Sequence, residues 1–170
     1  MALKPLTNAA WGFESNCFVC EPANPAGLRI PFFHDEEAEV VTAGFTLGAG
    51  HSGAPHHVHG GVLLAVLDEA MAWAAIALAG RFAVVQSTAT TFDRPVRIDQ
   101  PYRVEASVHD RTDTAVTARA EIADAAGRPC ARARARLVVM SSAVAGAAIG
   151  PVTGADLRYL RPLPSSEPDQ

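Results

Sequence analysis

Two consecutive acids, Asp68 and Glu69, stand in the middle of the longest apolar run of the chain, Val62 to Leu78. A carboxylate among apolar residues loses hydration, which raises its pKa toward that of a useful base, while a neighbouring helix N-terminus pulls the opposite way, and sequence does not rank the two. The same setting also suits a structural ion pair with an arginine. His59-Gly60-Gly61 lies directly ahead of the run. A helix starting there leaves its first N–H groups unpaired and carries positive dipole character, and two glycines let a bound group approach the backbone. Preorganised donors of this kind stabilise an oxyanion, and losing one usually costs about 100- to 1000-fold in rate. An acid together with such donors is what attack on a carbonyl requires. His59 reads equally as a site residue or as the cap of the helix start. Glu69 points about 100° away from Asp68 on a helix and reads as a solvated or salt-bridged neighbour.

These residues need elements to hold them. Gly48 to Gly61 is a loop rich in Gly, His and Pro, so a helix is expected from near Gly61 to about Gly80. Apolar residues occupy every side of it, which marks a helix enclosed by other structure. Strands are expected over 28–33 and 39–47, joined by the charged turn His34 to Glu37, and again over 83–92, 102–110, 115–122 and 130–140. The order of two strands, one buried helix and four strands suits an α+β fold, a single antiparallel six-stranded sheet wrapped around one long helix. Residues 1–27 read as an irregular N-terminal arm, 28–140 as the domain, and 141–170, rich in Ala, Gly, Ser and Pro, as a flexible tail.

Bulk properties narrow the classes of function. The 170 residues fit one domain, and 49% hydrophobic with 19% charged content is that of a folded chain with a packed core. A net charge of -4 with scattered basic residues offers no field for nucleic acid. The apolar run approaches membrane-spanning length, but each of its two acids would cost about 2.5 to 3.5 kcal/mol at a bilayer centre, so no membrane partner is expected. Met1 to Asn16 has no apolar stretch of signal-peptide type, and the three cysteines are an odd, sparse set, so reduced thiols in the cytoplasm are expected. Cys17 and Cys20 have the gap of a zinc knuckle or redox pair, but no second cysteine pair completes four ligands, so buried thiols are the expectation. Arg132, Arg134 and Arg136 alternate with alanines, which puts them on one strand face, either solvated or available to phosphate groups.

The segment His59-Gly60-Gly61-Val62-Leu63-Leu64-Ala65-Val66-Leu67-Asp68-Glu69-Ala70-Met71 resembles the signature of hotdog-fold acyl-CoA thioesterases of the phenylacetate-degradation (PaaI-type) branch. Cys17-Phe18-Val19-Cys20, Asn24-Pro25-Ala26-Gly27-Leu28 and Phe92-Asp93-Arg94-Pro95-Val96 are similar to that branch as well, so the resemblance spans about Cys17 to Met140. It implies hydrolysis of an acyl-CoA thioester to a free acid and CoA, with no metal or other cofactor, at sites between two subunits. Asp68 falls on the family's acidic catalyst, acting either as general base on water or as a nucleophile that attacks the carbonyl and forms an anhydride, and Gly60 falls on the glycine whose N–H polarises the carbonyl. Many relatives carry a hydroxyl residue near the start of the strand after the helix. Val85 falls there in this chain, with Ser87 or Thr88 as substitutes.

Helix geometry agrees with a shared site. Gly60 and Asp68 are eight residues apart, about 12 Å along a helix axis, so one carbonyl cannot touch both. A two-fold antiparallel contact between copies brings Asp68 of one near Gly60 of the other. Self-association as a dimer, or a dimer of dimers, is therefore expected. Trp73, five residues past Asp68, reads as packing or as the wall of an acyl pocket, and Gly61 as a further substrate contact. His57-Val58-His59 has the spacing of cupin metal ligands, but a cupin's next carboxylate follows on a strand, whereas these acids lie in the helical run, so no metal is expected. Two other functions fit the same fold: an acyl-CoA hydratase or dehydratase, whose His-Phe-Pro type motif is missing, and a non-catalytic acyl-CoA-binding protein.

Overall fold

Helix α1, Gly60–Ala77, is capped at its start by the His59 side chain and ends where Gly80, at φ 63°, turns the chain. The Gly80 and Arg81 N–H groups bond back to the Ile76 and Ala75 carbonyls and close the last turn. The computed structural model describes residues 3–11 and 15–150. Around α1 lie strands β1 (Leu3–Leu6), β2 (Phe32–Asp35), β3 (Val40–Thr46), β4 (Ser52–Ala54), β5 (His57–Val58), β6 (Ala83–Phe92), β7 (Pro101–Arg111), β8 (Ala115–Asp124) and β9 (Pro129–Val139). A second helix, α2, spans Ser142–Ile149.

The main sheet is antiparallel, in the order β1-β2-β3-β7-β8-β9-β6, and α1 packs against the face made by β3, β7, β8, β9 and β6. Period-two alternation decides that face. In β9, Ala131, Ala133, Ala135 and Leu137 are buried while Arg132, Arg134 and Arg136 are exposed, as the sequence alternation predicts. Opposite them on β8 stand Ala120, Ala118 and Val116, so the centre of the sheet is floored with small side chains. Small residues let a helix approach closely, and its own Val66, Leu67, Ala70 and Met71 are fully buried there. Sheet and helix form the expected hotdog-type α+β fold. By length and composition α1 is also apolar enough to cross a membrane, and 44% of it is buried here.

The sheet has seven strands rather than six. The additional strand comes from the region read as an irregular arm: β1 pairs with β2 in the register Leu3↔Asp35 to Leu6↔Phe32. Its four residues include Lys4 and Pro5, and so short an edge segment carries too little periodicity to be seen in sequence. The first hairpin also sits further along than expected. The Leu28 and Ile30 N–H groups bond to the Phe18 and Val19 carbonyls instead of to a sheet neighbour, so the strand begins only after Pro31. Asp35 then caps the turn by accepting from the Glu37 and Ala38 N–H groups. The tail expected over 141–170 forms helix α2 at its start, and its remainder, 151–170, lies outside the described residues.

Candidate active site

Asp68 sits half-buried on α1, on the wall of a cavity of about 510 Å³. Trp73, Ile76, Ala83 and Val85 give that cavity an apolar wall, and Glu69, Cys17 and Asn8 close its other side. Burial raises the Asp68 carboxyl above the ordinary aspartate range. Trp73 lines the cavity while only 4% exposed.

Gly60 lies at the start of the helix, against a second cavity of about 320 Å³ lined by His57, Leu63, Phe92, Arg94 and Val96. Its N–H makes no hydrogen bond among the described residues. The neighbouring Gly61 N–H is already used, because it donates to His59 Nδ1 at 2.9 Å. The His59 ring thus serves as the N-cap, which leaves Nε2 as its donor and Gly60 as the open amide. Gly53 fits against this cap: a Cβ there would stand 2.9 Å from His59 Cα. Beyond Gly60 a Cβ would meet the Phe92 ring at 3.5 Å, so this exposed aromatic forms the wall facing the amide. Asp93, next to Phe92, accepts two hydrogen bonds from Arg132 at 2.8 Å and ties the end of β6 to β9.

Strand β6 runs alongside α1 from one cavity to the other and is the outer strand of the sheet. Most of it is exposed. Opposed residues of paired strands project to the same side, so register assigns its faces. Val85 opposes the buried Leu137, and a bulge at Gln86 then shifts the pairing to Ser87↔Arg136 and Thr88↔Ala135. Val85 therefore reaches the Asp68 cavity, Ser87 shares the outer face with Arg136, and Thr88 returns to the helix side. Neither Ser87 nor Thr88 lines the cavity wall. Of the residues singled out in sequence, the fold brings together Asp68, Trp73 and Val85 beside the middle and C-terminal half of α1, and His59, Gly60 and Gly61 at its start.

Glu69 departs from expectation. It is not a solvated neighbour: its Oε2 and Cys17 Sγ share a hydrogen bond at 3.4 Å, and burial, followed by the adjacent Cys17 charge, pushes its carboxyl up to about 7. Cys17 is drawn down to about 5, chiefly by a hydrogen bond from Cys20, while that bond and burial push the Cys20 thiol up. No spacing rule links residues 17 and 69, so only the fold reveals the cluster.

Residues 55–131, the segment that carries helix α1 and strands β6, β7 and β8, match the family model described as the thioesterase superfamily. Solved structures agree on the fold. A crystal structure of a thioesterase superfamily protein is 24% identical over 77% of this chain, with a TM-score of 0.67, and the match spans 64% of that protein's length. The PaaI protein of the E. coli phenylacetic acid degradation operon is 22% identical, over 67% of this chain and 81% of its own, with a TM-score of 0.61. AziG of S. sahachiroi is 28% identical, over 66% of this chain and 92% of its own, with a TM-score of 0.60. No curated protein matches the chain.

Proposed function

We propose that the protein is an acyl-CoA thioesterase that hydrolyses its substrate to a carboxylic acid and CoA at two equivalent sites shared across a dimer. One observation carries this reading: the half-buried carboxylate and the open amide lie on one helix about 12 Å apart, each against its own cavity. A second copy, set antiparallel along α1 and the exposed strand β6, joins the Asp68 cavity of one subunit to the Gly60 cavity of the other. Structural neighbours support the ligand class. A thioesterase from Streptococcus pneumoniae TIGR4 is solved with coenzyme A, and a Streptococcus mutans UA159 protein with acetyl CoA.

In this arrangement Asp68 takes a proton from water, and the hydroxide equivalent attacks the thioester carbon. The oxyanion receives the Gly60 N–H of the other subunit, at the positive end of α1. Collapse of the intermediate breaks the C–S bond and the thiolate of CoA leaves, reprotonated from Asp68. The apolar wall of Trp73, Ile76, Ala83 and Val85 selects an apolar acyl group. His59 positions the loop by holding Gly61. The exposed arginines of β9 are available to CoA phosphates, although Arg132 is already committed to Asp93. Free cysteines among the described residues fit a reducing cytoplasmic setting.

Free-thiol release from a panel of short, medium, long and aromatic acyl-CoAs tests the reading. Turnover of at least one member is expected, falling about 100- to 10000-fold in Asp68→Asn. Undiminished turnover in Asp68→Asn, with the variant folded, refutes the assigned role.

A further inference from the structure

Cys17, Cys20 and Glu69 have no part in the thioester chemistry above, yet one Sγ or carboxylate oxygen from each lies within 4.8 Å of the others. We propose that these three side chains bind a zinc-type transition-metal ion, with a fourth coordination position opening onto the Asp68 cavity.

Donor spacing is the first support. Zinc–sulfur bonds of about 2.3 Å and zinc–oxygen bonds of about 2.0 to 2.2 Å at a tetrahedral angle separate the two donors by about 3.6 Å. Cys17 Sγ and Glu69 Oε2 stand 3.4 Å apart, so an ion needs only a small adjustment to enter between them. Donor type is the second. Two thiolates select soft or borderline ions over magnesium and calcium, and the carboxylate suits zinc among them.

The surrounding loop is the third. Sulfur ligands of a metal are oriented by N–H donors, and here Cys17 Sγ accepts from the Val19 N–H at 3.3 Å and Cys20 Sγ from Asn8 Nδ2 at 3.6 Å. Asn24 bonds through Nδ2 to the Asn16 and Cys17 carbonyls and through Oδ1 to the Ala26 N–H. Gly27 permits the return of the chain, since a Cβ there would stand 2.8 Å from the Phe18 carbonyl oxygen. The Cys17-to-Leu28 motif is thereby explained as a device that presents two thiols to a carboxylate on α1. A simple disulfide would leave the carboxylate without a part.

Three negative donors in so small a space repel one another, so without a metal some of them retain protons. A divalent ion displaces those protons and leaves a net charge of -1. Both Cys17 and Glu69 line the Asp68 cavity, so the remaining position faces it and takes water.

The full-length chain, purified under reducing conditions and stripped with a chelator, is titrated with zinc against a chromophoric competitor, and with cobalt as a spectroscopic substitute. One zinc per chain is expected, with cobalt giving a thiolate charge-transfer band and the visible bands of tetrahedral coordination. Cys17→Ser, Cys20→Ser and Glu69→Gln each weaken binding about 10- to 100-fold or more, whereas Cys130→Ala leaves it unchanged. Failure of the reduced wild-type chain to take up zinc or cobalt overturns the site, as does uptake undiminished in all three ligand variants. The wild-type cobalt spectrum decides the matter even where a cysteine variant does not fold. Thioesterase turnover is not read, so loss of the metal site and loss of the hydrolytic role remain separate results.

Discussion

A shared active site makes a quantitative prediction for mixtures of two inactive variants. Asp68→Asn removes the base and keeps the amide, and Gly60→Pro removes the amide proton and keeps the base. Proline is a mild change at this position. Gly60 is the first residue of α1, where the N–H has no helical partner, and proline is tolerated at first helical positions. His59 before it already has φ -65° and ψ 133°, the extended conformation that a residue preceding proline requires. The nearest outside atoms to a Cβ at Gly60 are those of the Phe92 ring at 3.5 Å, an ordinary contact. Losing the oxyanion donor is expected to lower kcat about 100- to 1000-fold, so each variant alone is nearly inactive. When the two are mixed 1:1 and allowed to exchange subunits, half of the dimers are mixed. In each of those, one site combines intact Asp68 with intact Gly60 and the other combines both lesions. About a quarter of the wild-type sites return, and with them about a quarter of the specific activity. A site contained in one subunit gives no recovery, because every chain then carries a lesion in its own site. Thiol release after subunit exchange, with circular dichroism to confirm that both variants fold, is the assay. A mixture no more active than its parents refutes the shared site.

Other consequences concern stability. Leu67, fully buried under the alanine floor of the sheet, is expected to cost about 2 to 5 kcal/mol when changed to Ala, read from denaturant unfolding. Gly27→Ala forces a Cβ against the Phe18 carbonyl oxygen at 2.8 Å and is expected to destabilise the chain by about 1 to 3 kcal/mol in the same experiment. The exposed Asp93 carboxyl is held below the ordinary aspartate range, chiefly by its hydrogen bond from Arg132, so the stability it supplies is present above the unfolded-state value and is lost as pH falls through the lower folded one. Arg132→Ala is expected to return the Asp93 titration to the ordinary range by NMR, and an unchanged titration would remove Arg132 as the cause.

How much of this was legible in sequence follows from the range over which each signal acts. The arginine and alanine alternation of β9 is a nearest-neighbour pattern, and the sheet reproduces it residue for residue. Gly80 and the His59 start of α1 were similarly local, since caps and turns are built from adjacent residues. Asp68 and Gly60 could be related because a helix is a ruler: eight residues fix a distance whatever the tertiary fold. Strand β1 was missed for the opposite reason, because four residues pairing with a strand nearly thirty positions away leave no periodic trace. The bulge at Gln86 is subtler still. It returns Thr88 to the helix side, although strict alternation from Val85 would have put Thr88 on the outer face, and nothing in Val85-Gln86-Ser87 announces the slip. Glu69 shows the limit most sharply. On the helix alone it points away from Asp68, and charge favours solvent for it. Only the loop carrying Cys17 and Cys20, held by Asn24 and Gly27, lays two thiols over that side of α1 and turns an apparent surface acid into part of a donor cluster. The loop motif and the helix motif were each visible in sequence, and their meeting point is a property of the fold.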